Sequence, residues 1–270
     1  MPEHASGAHT HDEGKAPLGV PRVHLRRTDS TNERAKELAL AGAPHGTLVT
    51  ATEQTAGRGR QGRSWSAPAG SSLLCSLVLR SPPALLSLIA GVAVCDAIGA
   101  PARVKWPNDV VREHDAPPPQ TTEGSPAAHK QRSLSKLAGI LVEGRPQEGW
   151  AVLGIGVNVA VCVESLPEEV RSRAASLERP SSAIEPLLAD LLAALALRVE
   201  EPRGRVLDAW RARDALLGRE ISWGTTQGEE GAPERGRAQG IDEEGRLLVR
   251  LADGATTALS AGEVHIASVT

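Results

Sequence analysis

The sequence predicts an α/β (α+β) protein: a larger part in which strand-like and helix-like segments alternate, then a small all-β unit. Three observations carry this. Apolar runs at 47–51, 73–79, 137–142 and 150–159 have strand length, and apolar stretches at 85–98 and 187–199 have helix length. Beyond Gly218 the pattern changes to short strands separated by the turn signals Asp242-Glu243-Glu244-Gly245 and Asp253-Gly254. With 270 residues and 40% hydrophobic content, the chain can build one sizeable core and a small second domain.

Taken in order, residues 1–21 are rich in His, Gly, Ala and Pro without periodicity and read as a disordered tail, and His4, His9 and His11 are not expected to form a metal site there. Val23-His24-Leu25 opens the fold. Thr28-Asp29-Ser30-Thr31-Asn32 is a helix-start signal, with Ala35, Leu38 and Ala39 following at helical spacing. The charge-poor stretch 85–98 predicts a helix buried on most sides. Val104-Lys105-Trp106 reads as a strand stopped by Pro107, with Asn108-Asp109 as a turn. Residues 113–135 are Pro-, Thr- and Ser-rich around Pro117-Pro118-Pro119, which predicts an insertion or flexible loop. The strand at 150–159 is expected to break at Gly154 and Gly156. A further helix is expected at 205–216, and strands at 220–223, 237–241, 247–251 and 263–266 complete a small barrel. The expected division is therefore 22–216 and 217–270.

Composition narrows the function. Phe and Tyr are absent and there are five Trp, so Leu, Val, Ile and Ala must fill the core. Cys75, Cys95 and Cys162 lack metal-ligand spacing and read as buried free thiols. There is neither an apolar run of signal-peptide length nor one of about 20 residues that could span a bilayer, which predicts a cytoplasmic protein without a membrane partner. Net charge is −3, yet between Gln54 and Cys95 there is no acid, while Arg58, Arg60, Arg63 and Arg80 fall there. Gly57-Arg58-Gly59-Arg60-Gln61-Gly62-Arg63 can wrap backbone amides and guanidinium forks around a phosphate or carboxylate, with no neighbouring carboxylate to compete. The string also matches Gly-x-Gly-x-x-Gly, but a strand rather than a helix follows and the ribose-binding acid is missing, so a dinucleotide fold is rejected.

Five strings occur in one order: Asp29-Ser30-Thr31-Asn32; Glu53-Gln54-Thr55-Ala56-Gly57-Arg58-Gly59-Arg60-Gln61-Gly62-Arg63-Ser64-Trp65; Lys105-Trp106-Pro107-Asn108-Asp109; Lys136-Leu137-Ala138-Gly139-Ile140-Leu141-Val142-Glu143; and Gly154-Ile155-Gly156-Val157-Asn158. The series resembles the bacterial biotin–protein ligases across roughly residues 22–268. The resemblance implies a mixed-sheet catalytic domain of the biotin/lipoate ligase (class II aminoacyl-tRNA synthetase-like) type followed by an SH3-like barrel. It also implies ATP-dependent formation of biotinyl-5′-AMP and transfer of biotin to a lysine of a biotin carboxyl carrier protein domain. Lipoate or octanoate ligation on the same fold is the enzymatic alternative, and a non-catalytic biotin-sensing or nucleic-acid-binding module is the other.

By the same resemblance Arg58, Arg60 and Lys136 act at the reacting groups. Ser30, Thr31, Asn32, Gln54, Gly59, Gly139 and Gly156 join them around biotin. Arg60, Arg63, Trp65, Lys105, Asn108, Asp109 and Asn158 hold ATP or the adenylate, with Mg²⁺ near Asn108 and Asp109. A plain helix cap is the competing role for Ser30–Asn32, core packing for Trp65, and a structural cap for Asp109. Gln61 stands where many relatives carry a basic residue. The short segment before the first string implies the ligase-only form without a DNA-binding domain; monomer and homodimer both remain open.

Overall fold

The computed structural model describes residues 17–115, 132–224, 233–260, 262 and 264–266. Its elements run β1 (Arg22–Leu25), α1 (Thr31–Leu40), β2 (Leu48–Ala51), β3 (Gly57–Arg58), β4 (Ser64–Trp65), β5 (Ser72–Arg80), α2 (Leu86–Ile98), β6 (Ala102–Lys105), β7 (Asp109–Asp115), β8 (Arg132–Arg145), β9 (Trp150–Asn158), α3 (Glu168–Arg171), α4 (Ile184–Glu200), α5 (Arg203–Arg211), β10 (Glu220–Trp223), β11 (Glu234–Ile241), β12 (Leu247–Arg250), β13 (Thr256–Leu259) and β14 (Val264–Ile266). Seven strands form a mixed sheet in the order β1-β2-β5-β9-β8-β7-β6, parallel only between β1 and β2. The five C-terminal strands form a separate antiparallel sheet, as a small SH3-like unit requires.

Period-two alternation along the central strands separates two environments. Leu73, Cys75, Leu77 and Leu79 of β5 and Leu153, Ile155 and Val157 of β9 enter one large core with α2, α4 and α5. Every α2 residue except Ser87, Asp96 and Ala97 is buried, as its charge-poor sequence predicts. The opposite face carries a smaller cluster: Ala35 and Ala39 of α1 packed on Val49, Val78, Trp150 and Val152. The ten residues of α1 cover only one end of that face. Ser76 and Gly154 underlie its first turn, and Gly139 and Gly156 lie farther along the sheet, where the arginine loop and Trp65 come down instead.

Several expectations are corrected. Residues 17–21 are part of the fold, because Gly19 N–H donates to Gly46 O at 2.8 Å and Leu18 packs on the core; residues 1–16 lie outside the described residues. The insertion is narrower than 113–135: residues 113–115 pair with 132–134, and His114 Nε2 lies 2.7 Å from Ser135 Oγ. Residues 116–131, including the three prolines, lie outside the described residues. Asp109 opens β7 opposite Lys105 instead of ending a turn. β9 runs unbroken through Gly154 and Gly156, whose missing side chains make room for groups above the sheet rather than bending it. α5 stops at Arg211, and the chain after it pairs with β6, Val104 N donating to Arg213 O at 3.0 Å and Ala215 N to Val104 O at 2.8 Å. β13 had no sequence signal. Cys162 is exposed, while Cys75 and Cys95 are buried.

The same junction buries a charge. Asp214 is 2% exposed; Oδ1 accepts the Leu216 N–H at 2.8 Å and Oδ2 has no hydrogen-bond partner. Burial pushes its carboxyl up to about 6, against the Leu216 amide and the Arg103 guanidinium. The folded state therefore binds the proton more tightly than the unfolded chain does. This contribution to stability is fully present below the unfolded value near 3.8 and is lost as pH rises through about 6. Asp214→Asn is expected to gain up to about 3 kcal/mol near neutral pH and to flatten the melting temperature across that window. An unchanged pH slope in the variant would reject this assignment.

Candidate active site

Several elements meet at one cleft of about 890 Å³, counting its open mouth. The N-terminus of α1 contributes Ser30, Thr31 and Asn32, all buried, and the segment after β2 contributes Gln54. Ser30 holds the N-cap position but makes no side-chain cap bond. The first helical donor is met from across the cleft instead: Gln54 Oε1 accepts both the Thr31 N–H (2.7 Å) and the Thr31 hydroxyl (2.9 Å). Beneath them the fully buried Ser76 hydroxyl lies 2.8 Å from Thr31 Oγ1 and 2.6 Å from Asn32 Oδ1. Asn32 Nδ2 donates to Glu143 Oε2 at 2.9 Å. Short donors and acceptors fixed this way in an apolar sheet suit a neutral, polar group.

The arginine loop roofs the cleft. β3 and β4 pair as a two-residue ribbon, and the Gly59 N–H closes the turn onto Arg63 O at 2.7 Å. Gly139 and Gly156 seat Trp65: an added Cβ would meet its ring at 3.0 Å from Gly139 and 2.7 Å from Gly156. Trp65 thus packs over the sheet within the site, and its Nε1 is buried without a hydrogen-bond partner. Lys136 Nζ stands 5.6 Å from the Trp65 ring centroid and 2.6 Å from Asp109 Oδ1. Arg60 faces inward, Nη1 donating to Asn108 Oδ1 at 3.4 Å, while Asn108 Nδ2 is anchored on Ile140 O at 2.7 Å. Burial lowers the Arg60 guanidinium's pKa, Asp109 opposing and Arg63 reinforcing the shift. Arg58 faces the other way, paired with Glu33 and lying 3.9 Å from Glu143. The expectation that no carboxylate competes for the loop's arginines is therefore overturned by two acids distant in sequence.

A larger cavity of about 1930 Å³, again including open space, adjoins the first. Arg63, Arg132, Lys105, Lys136, Arg173 and His265 bring positive or protonatable groups to it, and Asp109 is the one carboxylate among the described lining residues. Burial depresses the Lys105 ammonium pKa, offset by Asp109 and deepened by Lys136, Arg63 and Arg173. Burial likewise depresses His265, with Lys105, Arg63 and Arg173 adding to it. Asn158 lines this cavity with its amide tied to the chain, Nδ2 donating to Ala175 O at 2.9 Å. A local cation excess of this kind suits a polyanion. Sequence reasoning missed Ser76, Glu33, Glu143, Arg173 and His265 as site residues. Ser76 left a local signal, a hydroxyl inside the apolar run Leu73-Leu74-Cys75-Ser76-Leu77, and Glu143 ends the fourth of the five strings.

Residues 24–159 match the model of the biotin/lipoate A/B protein ligase family. The chain belongs to this family. Residues 217–266 of this ligase-family chain match the biotin protein ligase C-terminal domain. The biotin--[acetyl-CoA-carboxylase] ligase of Paracoccus denitrificans is 33% identical over 249 residues, covering 84% of this chain and 92% of that protein. The bifunctional ligase/repressor BirA of Bacillus spizizenii is 34% identical over 176 residues, 61% of this chain, and the match spans only 48% of that protein. Among solved structures, the biotin protein ligase of Aquifex aeolicus in complex with biotin and ATP superposes with a TM-score of 0.72 at 25% identity, covering 91% of this chain and 99% of that one. Among the described residues, no helix of this family member is long and apolar enough to cross a membrane.

Proposed function

We propose that this chain joins biotin to ATP, forming biotinyl-5′-AMP and pyrophosphate, and then transfers the biotinyl group to a lysine of a carboxylase carrier domain. One observation supports this above the others: Arg63, Ser64, Trp65, Lys105, Asp109 and Lys136 line both cavities. Their shared wall is where a carboxylate entering from the polar cleft and a phosphate entering from the cationic cavity would meet.

The ureido ring takes the Ser30, Thr31, Asn32 and Gln54 end, and the valeryl chain runs beneath Trp65 toward Lys136 and Arg60. A carboxylate oxygen attacks the α-phosphorus, a C–O–P bond forms, and the bond to the leaving pyrophosphate breaks. Like charges must approach, so the chain supplies fixed cations rather than a nucleophile. Lys136 sits at the junction, Arg60 lies above it, and Lys105, Arg63 and Arg173 face the polyphosphate. Mg²⁺ would accompany ATP and neutralise part of its charge. Phosphates and water would carry most of its coordination, and the Asn108 and Asp109 oxygens are the chain's groups that would contact it. In the second half-reaction the carrier's lysine amine attacks the acyl carbon and AMP leaves. Until then the roof of Trp65 and the arginine loop keeps water from the mixed anhydride.

The test is intact mass of a carrier domain after incubation with this chain, Mg-ATP and biotin, with lipoate in a parallel reaction. One biotinyl adduct per carrier is expected, along with pyrophosphate release before carrier is added. Labelling from lipoate alone would assign the chain to the other branch of its family. Absence of pyrophosphate with either acid would make it a binding module.

A further inference from the structure

The unexpected partners of Arg58 form a closed charge cluster at the edge of the polar cleft. Glu33 lies in the first turn of α1, and Glu143 near the end of β8. Arg58 Nη1 pairs with Glu33 Oε1, and its Nη2 is 3.9 Å from Glu143 Oε1. Lys36, one turn beyond Glu33, reaches both acids, with Nζ 2.8 Å from Glu33 Oε1 and 3.4 Å from Glu143 Oε1. The second oxygen of Glu143 holds the Asn32 amide at 2.9 Å. Two carboxylates thus share two cations, and one of those cations belongs to the loop that roofs the site.

We propose that Glu33, backed by Glu143, is an internal counter-anion that holds Arg58 in the ligand-free protein and competes for it with the carboxylate of the incoming substrate. This rests on reading the cleft as the biotin site. The arrangement suits exchange rather than permanent pairing. Arg58 is 48% exposed and Glu33 31%, so water and salt screen their attraction. When Arg58 leaves, Lys36 remains within reach of both acids, so neither is left bare. The hydrogen bond from Lys36, opposed by desolvation and helped by Arg58, lowers the Glu33 pKa, so the acid stays charged at neutral pH. Arg60, directed to Asn108, takes no part. The consequence is selectivity: a ligand that fills the polar cleft but lacks a carboxylate offers Arg58 no replacement for Glu33 and leaves the loop where it was.

The test is calorimetric titration of Glu33→Gln and the unaltered protein with biotin and with biotinamide, the same ring and chain without the acid. Glu33→Gln should tighten biotin about 2- to 5-fold, the equivalent of one exposed ion pair. Biotinamide affinity should not change, and high salt should erase the gain. In an Arg58→Ala background the Glu33→Gln effect should vanish, which a purely structural role for Glu33 would not produce. Equal shifts for both ligands, no shift for biotin, or persistence of the effect without Arg58 would each overturn the inference. No heat from biotin with the unaltered protein would overturn the functional reading itself, and this inference with it.

Discussion

Lys136→Ala is expected to slow formation of the adenylate at least about 100-fold while leaving biotin affinity within a few-fold, the scale of removing one preorganised charge contact from a transition state. Lys136 is placed for that split. It starts away from the Ser30–Asn32 end of the cleft, on the shared wall of the two cavities, steered by Asp109 at 2.6 Å and by the Trp65 face. On the proposed reading its charge would act where a carboxylate meets a phosphate, an encounter that exists only on the way to the adenylate. The fold should survive the change, because Asp109 keeps Lys105 and Arg60 as cationic neighbours. Pre-steady-state pyrophosphate release and a biotin titration on the same preparation check both halves. An unchanged burst rate would remove Lys136 from the chemistry, and a collapse of biotin binding would make it a ground-state ligand instead.

What was legible in the sequence depended on how locally each feature is encoded. The Gly-Arg loop, Lys105–Asp109, Lys136–Glu143 and Gly154–Asn158 each carry several site residues on one short segment, and the fold brings all of them to one pair of cavities. The buried α2 was readable because a single charge, Asp96 near its end, over thirteen otherwise apolar residues has few other meanings. The misreadings share a cause. Gly154 and Gly156 looked like strand breakers because a sequence does not reveal that Asn32 and Trp65 press on their α-carbons. The loop looked free of acids because Glu33 and Glu143 are 25 and 85 positions from Arg58 in number but adjacent in space. Residues 132–135 looked like linker because Arg132, Ser133 and Ser135 continue a polar composition, whereas pairing with β7 makes them strand and buries Ser135. Arg173 and His265 belong to segments whose reach into the cationic cavity is set entirely by how α3 and the C-terminal sheet dock.

Gly154→Ala tests whether the close approach of helix and sheet is what shapes the polar end of the site. A Cβ at Gly154 would overlap Asn32 Oδ1 and stand 2.8 Å from Asn32 Cγ. That side chain cannot yield cheaply. Its carbonyl meets the buried Ser76 hydroxyl at 2.6 Å, its amide meets Glu143 at 2.9 Å, and its backbone is in the first turn of α1, packed on the sheet through Ala35 and Ala39. The methyl therefore either swings Asn32 away, leaving Ser76 with one partner fewer, or lifts the N-terminus of α1 and with it Thr31 from Gln54. Overpacking of this kind costs about 1–3 kcal/mol of stability. Losing two neutral hydrogen bonds at the ring-binding end costs a similar amount of affinity, about 10- to 100-fold in biotin Kd. Adenylation at saturating biotin should fall much less, because Lys136 and the shared wall are untouched, and that pattern is the reverse of Lys136→Ala. A folded Gly154→Ala protein with unaltered biotin affinity would mean that Asn32 is not part of the recognition surface and that the glycine serves packing alone.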